Sequence, residues 1–183
     1  MMVELYNSLE DRKITFEDIM KDNKLEKLFK KEFPTTEFLY APASTKYHGA
    51  YQGGLFEHSL TVMETLVNLT ENLNLTWERL ESPYIIGMFH DLCKIDNYKY
   101  DYFEKRFSYS SEPVIDGHGE KSIIYLQKYI DLTDEEIACI RWHMGAYETD
   151  TNKWEYYDRA IRKYPNVLYT HTADMIASKI VGV

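Results

Sequence analysis

The sequence predicts an all-α protein of about seven helices, and three observations carry that prediction. Apolar residues recur at three- and four-residue intervals through most of the chain. Helix starts are marked by Ser82 with Pro83 and by Thr133 with Glu136. Only one stretch, Tyr98 to Ser110, alternates with a partial period of two. No internal repeat, low-complexity tract or linker interrupts the pattern. At 183 residues the chain suits one domain with a real core and is short for two. With 44% hydrophobic and 28% charged residues it has the composition of a chain that folds on its own.

The elements follow in order. The opening MMVELYNSLE lacks the basic and apolar regions of a signal peptide. No apolar run approaches the roughly 20 residues needed to cross a bilayer, so a cytoplasmic protein without a membrane partner is expected. Residues 14 to 33 place Phe16, Ile19, Met20, Leu25, Leu28 and Phe29 at helical intervals until Pro34 stops the pattern. This reads as a charged amphipathic helix on the outside, which makes 1–47 an N-terminal helical extension packed on a core domain of 48–183. After a loop around Pro42, residues 54 to 73 carry the stripe Phe56, Leu60, Met63 and Val67, widened by Val62, Leu66, Leu69 and Leu73. Such breadth implies deep burial. Ser82 as N-cap with Pro83 in the first turn opens YIIGMFHDLCKI (84 to 95), apolar on nearly every side and therefore a central helix. The aromatic segment near 98–110 favours a short β-hairpin or ordered loop. Residues 117 to 130 read as a helix entered through glycines. The capping box at Thr133 and Glu136 opens another that ends near Gly145, and two more fill 152 to 164 and 166 to 180 around Pro165.

The net charge of −9 and a pI near 5.2 argue against a long nucleic acid as partner and leave room for a small anion held by a metal. Cys93 and Cys139 are the only cysteines and lie in separate apolar patterns, which predicts two buried thiols and no disulfide. The 16 tyrosines suit a core that uses rings for packing and hydroxyls as polar handles.

The chemistry concentrates in FHDLCK (89 to 94), where His90 and Asp91 stand side by side within the most apolar segment. An ionised carboxylate buried alone costs several kcal/mol, so Asp91 needs compensation, by a metal or by a His or Lys partner. His58 lies on a mostly apolar stripe, His118 opens a helix between two glycines, and His143 closes one before Gly145. Asp174 follows His171 by three residues, on the same helix face. Each alone is readily a core or capping residue. Together they give the order His, His-Asp, His, His, Asp in a chain of six histidines.

That order resembles the HD superfamily of metal-dependent phosphohydrolases, named for its paired His-Asp and built as a helical bundle around a metal site. GGLFEHSL (53 to 60) resembles its first-ligand helix, FHDLCKI its signature, and GHGEKS (117 to 122) and IRWHMGAY (140 to 147) its helices with additional histidines. HTADM (171 to 175) is similar to the closing aspartate motif. The resemblance implies that His58, His90, Asp91 and Asp174 bind one metal, and that Asp91 bridges to a second held by His118 and His143. Two departures stand out. His143 is followed by Met144 where many binuclear relatives have a second histidine, and Cys93 replaces a small aliphatic residue before Lys94.

Imidazoles and carboxylates without thiolates suit one or two divalent ions of Mn, Fe, Co, Ni or Zn at an open site. Asp91 and Lys94 are the catalytic candidates, with Lys94 one turn away as a group to neutralise phosphate or as a plain solvated lysine. His48, Lys94, Lys121 and His171 are the candidate substrate contacts; His48 and His171 equally suit orienting roles behind the ligands. Lys121 and the aromatics of 98 to 110 suit phosphate binding and base stacking, or simple packing. The expected activity is hydrolysis of a small nucleotide-like phosphomonoester or phosphodiester by metal-activated water. IRWHMGAY resembles symmetrical dinucleoside tetraphosphate hydrolases, and GGLFEHSL is closer to HD domains of 3′-to-5′ oligonucleotide exonucleases. A catalytically idle domain that senses a nucleotide is the alternative from another class. Oligomeric state is left open by the sequence.

Overall fold

The computed structural model describes residues 8–145 and 151–183. Helices dominate it, with one two-stranded antiparallel ribbon. Ala146 and Tyr147, the end of the IRWHMGAY motif, lie outside the described residues. Among the described residues no helix is long and apolar enough to cross a membrane.

Helix α1 (Leu9–Asp22) starts at Ser8, whose hydroxyl accepts from the Asp11 amide in a capping box. The single helix expected over 14–33 is corrected here. Asn23 closes α1 by returning both its amide and its side-chain nitrogen to the Ile19 carbonyl. Lys24 follows at φ 58, a left-handed geometry that no helix continues through. A 3₁₀ turn (Leu25–Leu28) and the short α2 (Thr35–Tyr40), entered from Pro34, complete the N-terminal part. Its apolar face does not remain outside. Phe16, Phe33 and Phe38 are buried, and their ring centroids lie 6.3, 5.2 and 5.8 Å from that of Phe89, one residue before His90. Aromatic pairs at these separations add to the burial of area.

Helix α3 (Gly54–Leu73) matches the expected stripe through Leu66, while Leu73 is exposed. It packs along α4 (Ser82–Phe89). Ser82 is not the N-cap of α4. Glu81 takes that position, and the buried Ser82 hydroxyl donates instead to Glu136 Oε1 at 2.8 Å. Glu136 also receives the Arg79 guanidinium fork at 2.8 and 2.7 Å and completes the predicted capping box with Thr133. The expected helix over 84 to 95 is likewise shorter. α4 ends at Phe89, and the amides of Leu92 and Lys94 then bond three residues back, to Phe89 and Asp91. His90 and Asp91 therefore sit in a tightened turn leading to α5 (Lys94–Asn97).

The aromatic segment forms the hairpin, β1 (Tyr98–Asp101) against β2 (Arg106–Tyr109), with Tyr98 opposite Tyr109 and Asp101 opposite Arg106. Asp101 Oδ1 accepts from the amides of Phe103 and Glu104, which fixes the turn. Phe107 points inward against Tyr40, whereas Tyr102 and Phe103 are exposed. α6 (His118–Leu126), α7 (Asp134–Trp142), α8 (Trp154–Lys163) and α9 (Asn166–Met175) follow. α9 continues into a π-helical turn, Ile176–Val181, of the kind often found at functional sites.

Two glycines set the approach of the helix pairs that build the site. A Cβ at Gly87 would lie 2.3 Å from Met63 Cα, so α4 reaches α3 backbone to backbone. A Cβ at Gly119 would lie 2.6 Å from the Arg141 carbonyl oxygen, so α6 meets α7 in the same way. The first contact brings His90 to His58, and the second brings His118 to His143.

Candidate metal centre

The His and Asp side chains singled out from the sequence converge on one buried point. Asp91, 2% exposed, divides its oxygens between two groups. Oδ2 faces His58 Nε2 at 3.5 Å, His90 Nε2 at 3.6 Å and the Lys94 ammonium at 2.5 Å. Oδ1 faces His118 Nε2 at 2.6 Å and His143 Nε2 at 3.4 Å. Asp174, on the last turn of α9, reaches His58 Nε2 at 3.3 Å. The rings of His48, His58, His90, His143 and His118 form an unbroken row with successive centroids 4.9 to 5.2 Å apart.

Three of these imidazoles are turned by a backbone acceptor behind them. Nδ1–H of His90 donates to the Gly87 carbonyl at 2.9 Å, that of His143 to the Ile140 carbonyl at 2.7 Å, and that of His58 to the Val183 carbonyl at 3.0 Å. Because a carbonyl only accepts, the proton of each neutral ring is held on Nδ1 and the Nε2 lone pair faces the centre. The consequence is frustration in the bare protein. His58 and His90 then present Nε2 lone pairs to each other at 3.3 Å, and the buried His143 Nε2 has no hydrogen-bond partner among the described residues. Divalent cations would accept these lone pairs, so the residues fit a metal site.

The charges agree. Burial pushes the His90 imidazole down to about 3, which keeps it neutral. Burial alone would raise Asp91, but Lys94 and His118 outweigh it and hold the carboxyl well below its usual range. Asp174 is also lowered against its burial, chiefly by the His58 ring beside it. Lys94 is raised despite burial because Asp91 faces it. His118 is pushed up to about 10, as Cys93 and Asp91 overcome its desolvation.

A cavity of about 140 Å³ opens onto this cluster, lined by His48, Asp91, Lys94, His118 and Asp174, with Lys179 among the residues of its wall. Of the candidate substrate contacts, His48 and Lys94 thus face the cavity. His48 is pushed down to about 4 by burial and by Lys94, so it enters as a neutral ring. Lys121 and His171 face elsewhere. Lys121 is buried with its ammonium on Asp96 Oδ1 and Asn97 Oδ1, both at 2.6 Å. His171 donates from Nδ1 to the His143 carbonyl at 2.7 Å and braces the turn at Gly145, the orienting role open to it. Ser178 and Lys179 on the cavity wall were not found by sequence reasoning. Their signal was available, since Ser178 lies one turn beyond Asp174 on the same face. The Val183 carbonyl carries no residue-type signal.

A helical domain closed around a buried His/Asp cluster is the class that this fold and site define. The HD domain family model matches residues 55–177, which hold every clustered His and Asp except His48, and the chain belongs to that family. HD domains bind divalent metals, and this cluster is suited to hold one. Comparison with curated proteins and with solved structures returned no match.

Proposed function

We propose that this chain is a metal-dependent phosphohydrolase acting on a small nucleotide-like phosphate ester. The supporting observation is the division of Asp91, with one oxygen facing each half of the row of imidazoles and the His143 Nε2 without a hydrogen-bond partner among the described residues. His58, His90, Asp91 and Asp174 would hold one divalent cation, and Asp91, His118 and His143 a second. Cations there supply Lewis-acid polarisation of a phosphoryl oxygen and a water acidic enough to attack phosphorus.

The protein's own groups complete the chemistry. Lys94 keeps a fixed positive charge at the cavity wall, where an entering phosphate needs neutralising. His48, neutral and beside it, is a hydrogen-bonding partner for a phosphoryl oxygen. At about 140 Å³ the cavity is smaller than the roughly 300–1,000 Å³ of pockets that enclose a whole drug-sized ligand. It therefore suits a phosphoryl group, with the remainder of the substrate on the rim near Lys179. In this reading 48–183 is the catalytic domain and 1–47 an extension whose aromatics back Phe89.

The test is elemental analysis of the purified protein, followed by a hydrolysis panel of mononucleotides, dinucleoside polyphosphates and short oligonucleotides with Mn, Fe, Co, Ni and Zn. Cation-dependent release of phosphate or nucleotide, abolished by chelation, supports the proposal. Tight nucleotide binding without turnover under every metal would replace it with a sensing domain, and release of mononucleotides from oligonucleotides alone with an exonuclease.

A further inference from the structure

Four imidazoles surround Asp91, and three of them rest Nδ1 on a backbone carbonyl at 2.7 to 3.0 Å. The fourth does not. His118 Nδ1 lies 3.5 Å from Cys93 Sγ, a sulfur supplied by the turn that carries His90 and Asp91. The same two residues are tied a second time. The Cys93 amide donates to Ser122 Oγ at 3.0 Å, and that hydroxyl donates in turn to the His118 carbonyl at 3.2 Å. Cys93 and Ser122 are fully buried, while the His118 side chain is 33% exposed. Packing alone therefore holds His118 less than it holds the other rings. Its direction is set in front by the Nε2 contact to Asp91 Oδ1 at 2.6 Å and behind by this clamp.

We infer that Cys93 is a positioning residue for His118: its sulfur accepts the Nδ1 proton and aims Nε2 at the cation position shared with Asp91 and His143. The inference rests on the two-cation reading above and goes beyond it, because it assigns control of the second position to a side chain outside the ligand set. Sulfur is a weak acceptor, so the hold behind His118 is the most adjustable of the four. Partners behind a ligand histidine fix its tautomer and orientation, and their loss typically lowers metal affinity 10–100-fold.

The experiment compares wild type, Cys93→Ala, Cys93→Ser and Ser122→Ala as full chains. Zinc binding by calorimetry gives stoichiometry and affinity, and long-range ¹H–¹⁵N spectra of the cation-free proteins report the state of the His118 ring. In Cys93→Ala the second zinc is expected to weaken about 10–100-fold, with the first unchanged and the His118 nitrogen signals shifted. Cys93→Ser, which keeps an acceptor, restores most of the affinity. Ser122→Ala keeps the thiol, removes half of the clamp, and shifts the second zinc in the same direction by less. The inference is overturned if Cys93→Ala, folded by its thermal transition, leaves both the second zinc and the His118 signals as in wild type. Wild type that takes up one zinc defeats the two-cation reading instead, and the cation-free spectra still decide whether Cys93 orients His118.

Discussion

A carboxylate as enclosed as Asp91 stays ionised only if positive charge is brought to it, and the bare protein does this with Lys94 and His118. Replacing the aspartate exposes the dependence in both directions. Asp91→Ala should remove bound metal and turnover together, and in chelator-treated protein it leaves the buried Lys94 ammonium without its carboxylate. Breaking a buried pair from one side costs about 3–5 kcal/mol, so urea unfolding should show a loss of that size. The double variant Asp91→Ala with Lys94→Met should recover part of the stability and none of the metal. An Asp91→Ala protein with full metal content would remove the bridging role. The contacts of His118 and His143 with Asp91 are to Oδ1. Accordingly, His118→Ala and His143→Ala should each retain one cation by elemental analysis and lose most activity. Normal turnover in both would make the enzyme mononuclear in practice.

Helix pairs bring these residues together, and the two close contacts at glycine act on different halves of the site. Gly87→Ala forces a Cβ against the α3 backbone at Met63, which must push α4 away and separate His90 from His58. Gly119→Ala forces one against the α7 carbonyls and separates His118 from His143. Overpacking of this kind costs about 1–3 kcal/mol, visible as a lower thermal midpoint in each variant. The metal data should differ between them: Gly87→Ala weakens the first cation, Gly119→Ala only the second. Equal effects on both would mean that the helix pairs do not position the two halves independently. At this scale the sequence was legible where apolar spacing decides the element, as in α3, and where side chains cap a helix, as at Thr133 and Glu136. It was not legible where backbone geometry decides. Lys24 in the left-handed region splits the expected first helix, and the shift to three-residue hydrogen bonds after Phe89 ends α4 before the His-Asp pair. Neither depends on a residue type that advertises it.

Across the whole molecule, the cluster could be read from the order of its His and Asp residues because His58 and the His90–Asp91 pair stand among apolar neighbours, conspicuous by the cost of burying them. The direction of Lys121 could not. The sequence left it as a phosphate contact or as simple packing, and Asp96 and Asn97 of α5 take its ammonium away from the cavity. The acceptors behind the imidazoles were equally hidden, since every residue owns a carbonyl. The longest-range of these joins the start of the matched region to a residue beyond its end: His58, near the start of α3, is held by Val183, past the π-helical turn. The amides of Gly182 and Val183 both return to the Ala177 carbonyl, which seats the Val183 carbonyl over the ring. A backbone acceptor should be indifferent to its side chain. Val183→Ala is therefore expected to bind the first cation as wild type does, whereas a chain ending at Val181 loses the acceptor and should bind it roughly 10–100-fold more weakly. Calorimetric titration of both proteins decides the matter. Equal weakening would assign the effect to packing of the valine side chain, and no change in the shortened chain would show that His58 keeps its direction without the carbonyl. Because this bond acts on His58 alone, the second cation's affinity should stay level in the shortened chain, which separates the effect from a general loosening of the fold.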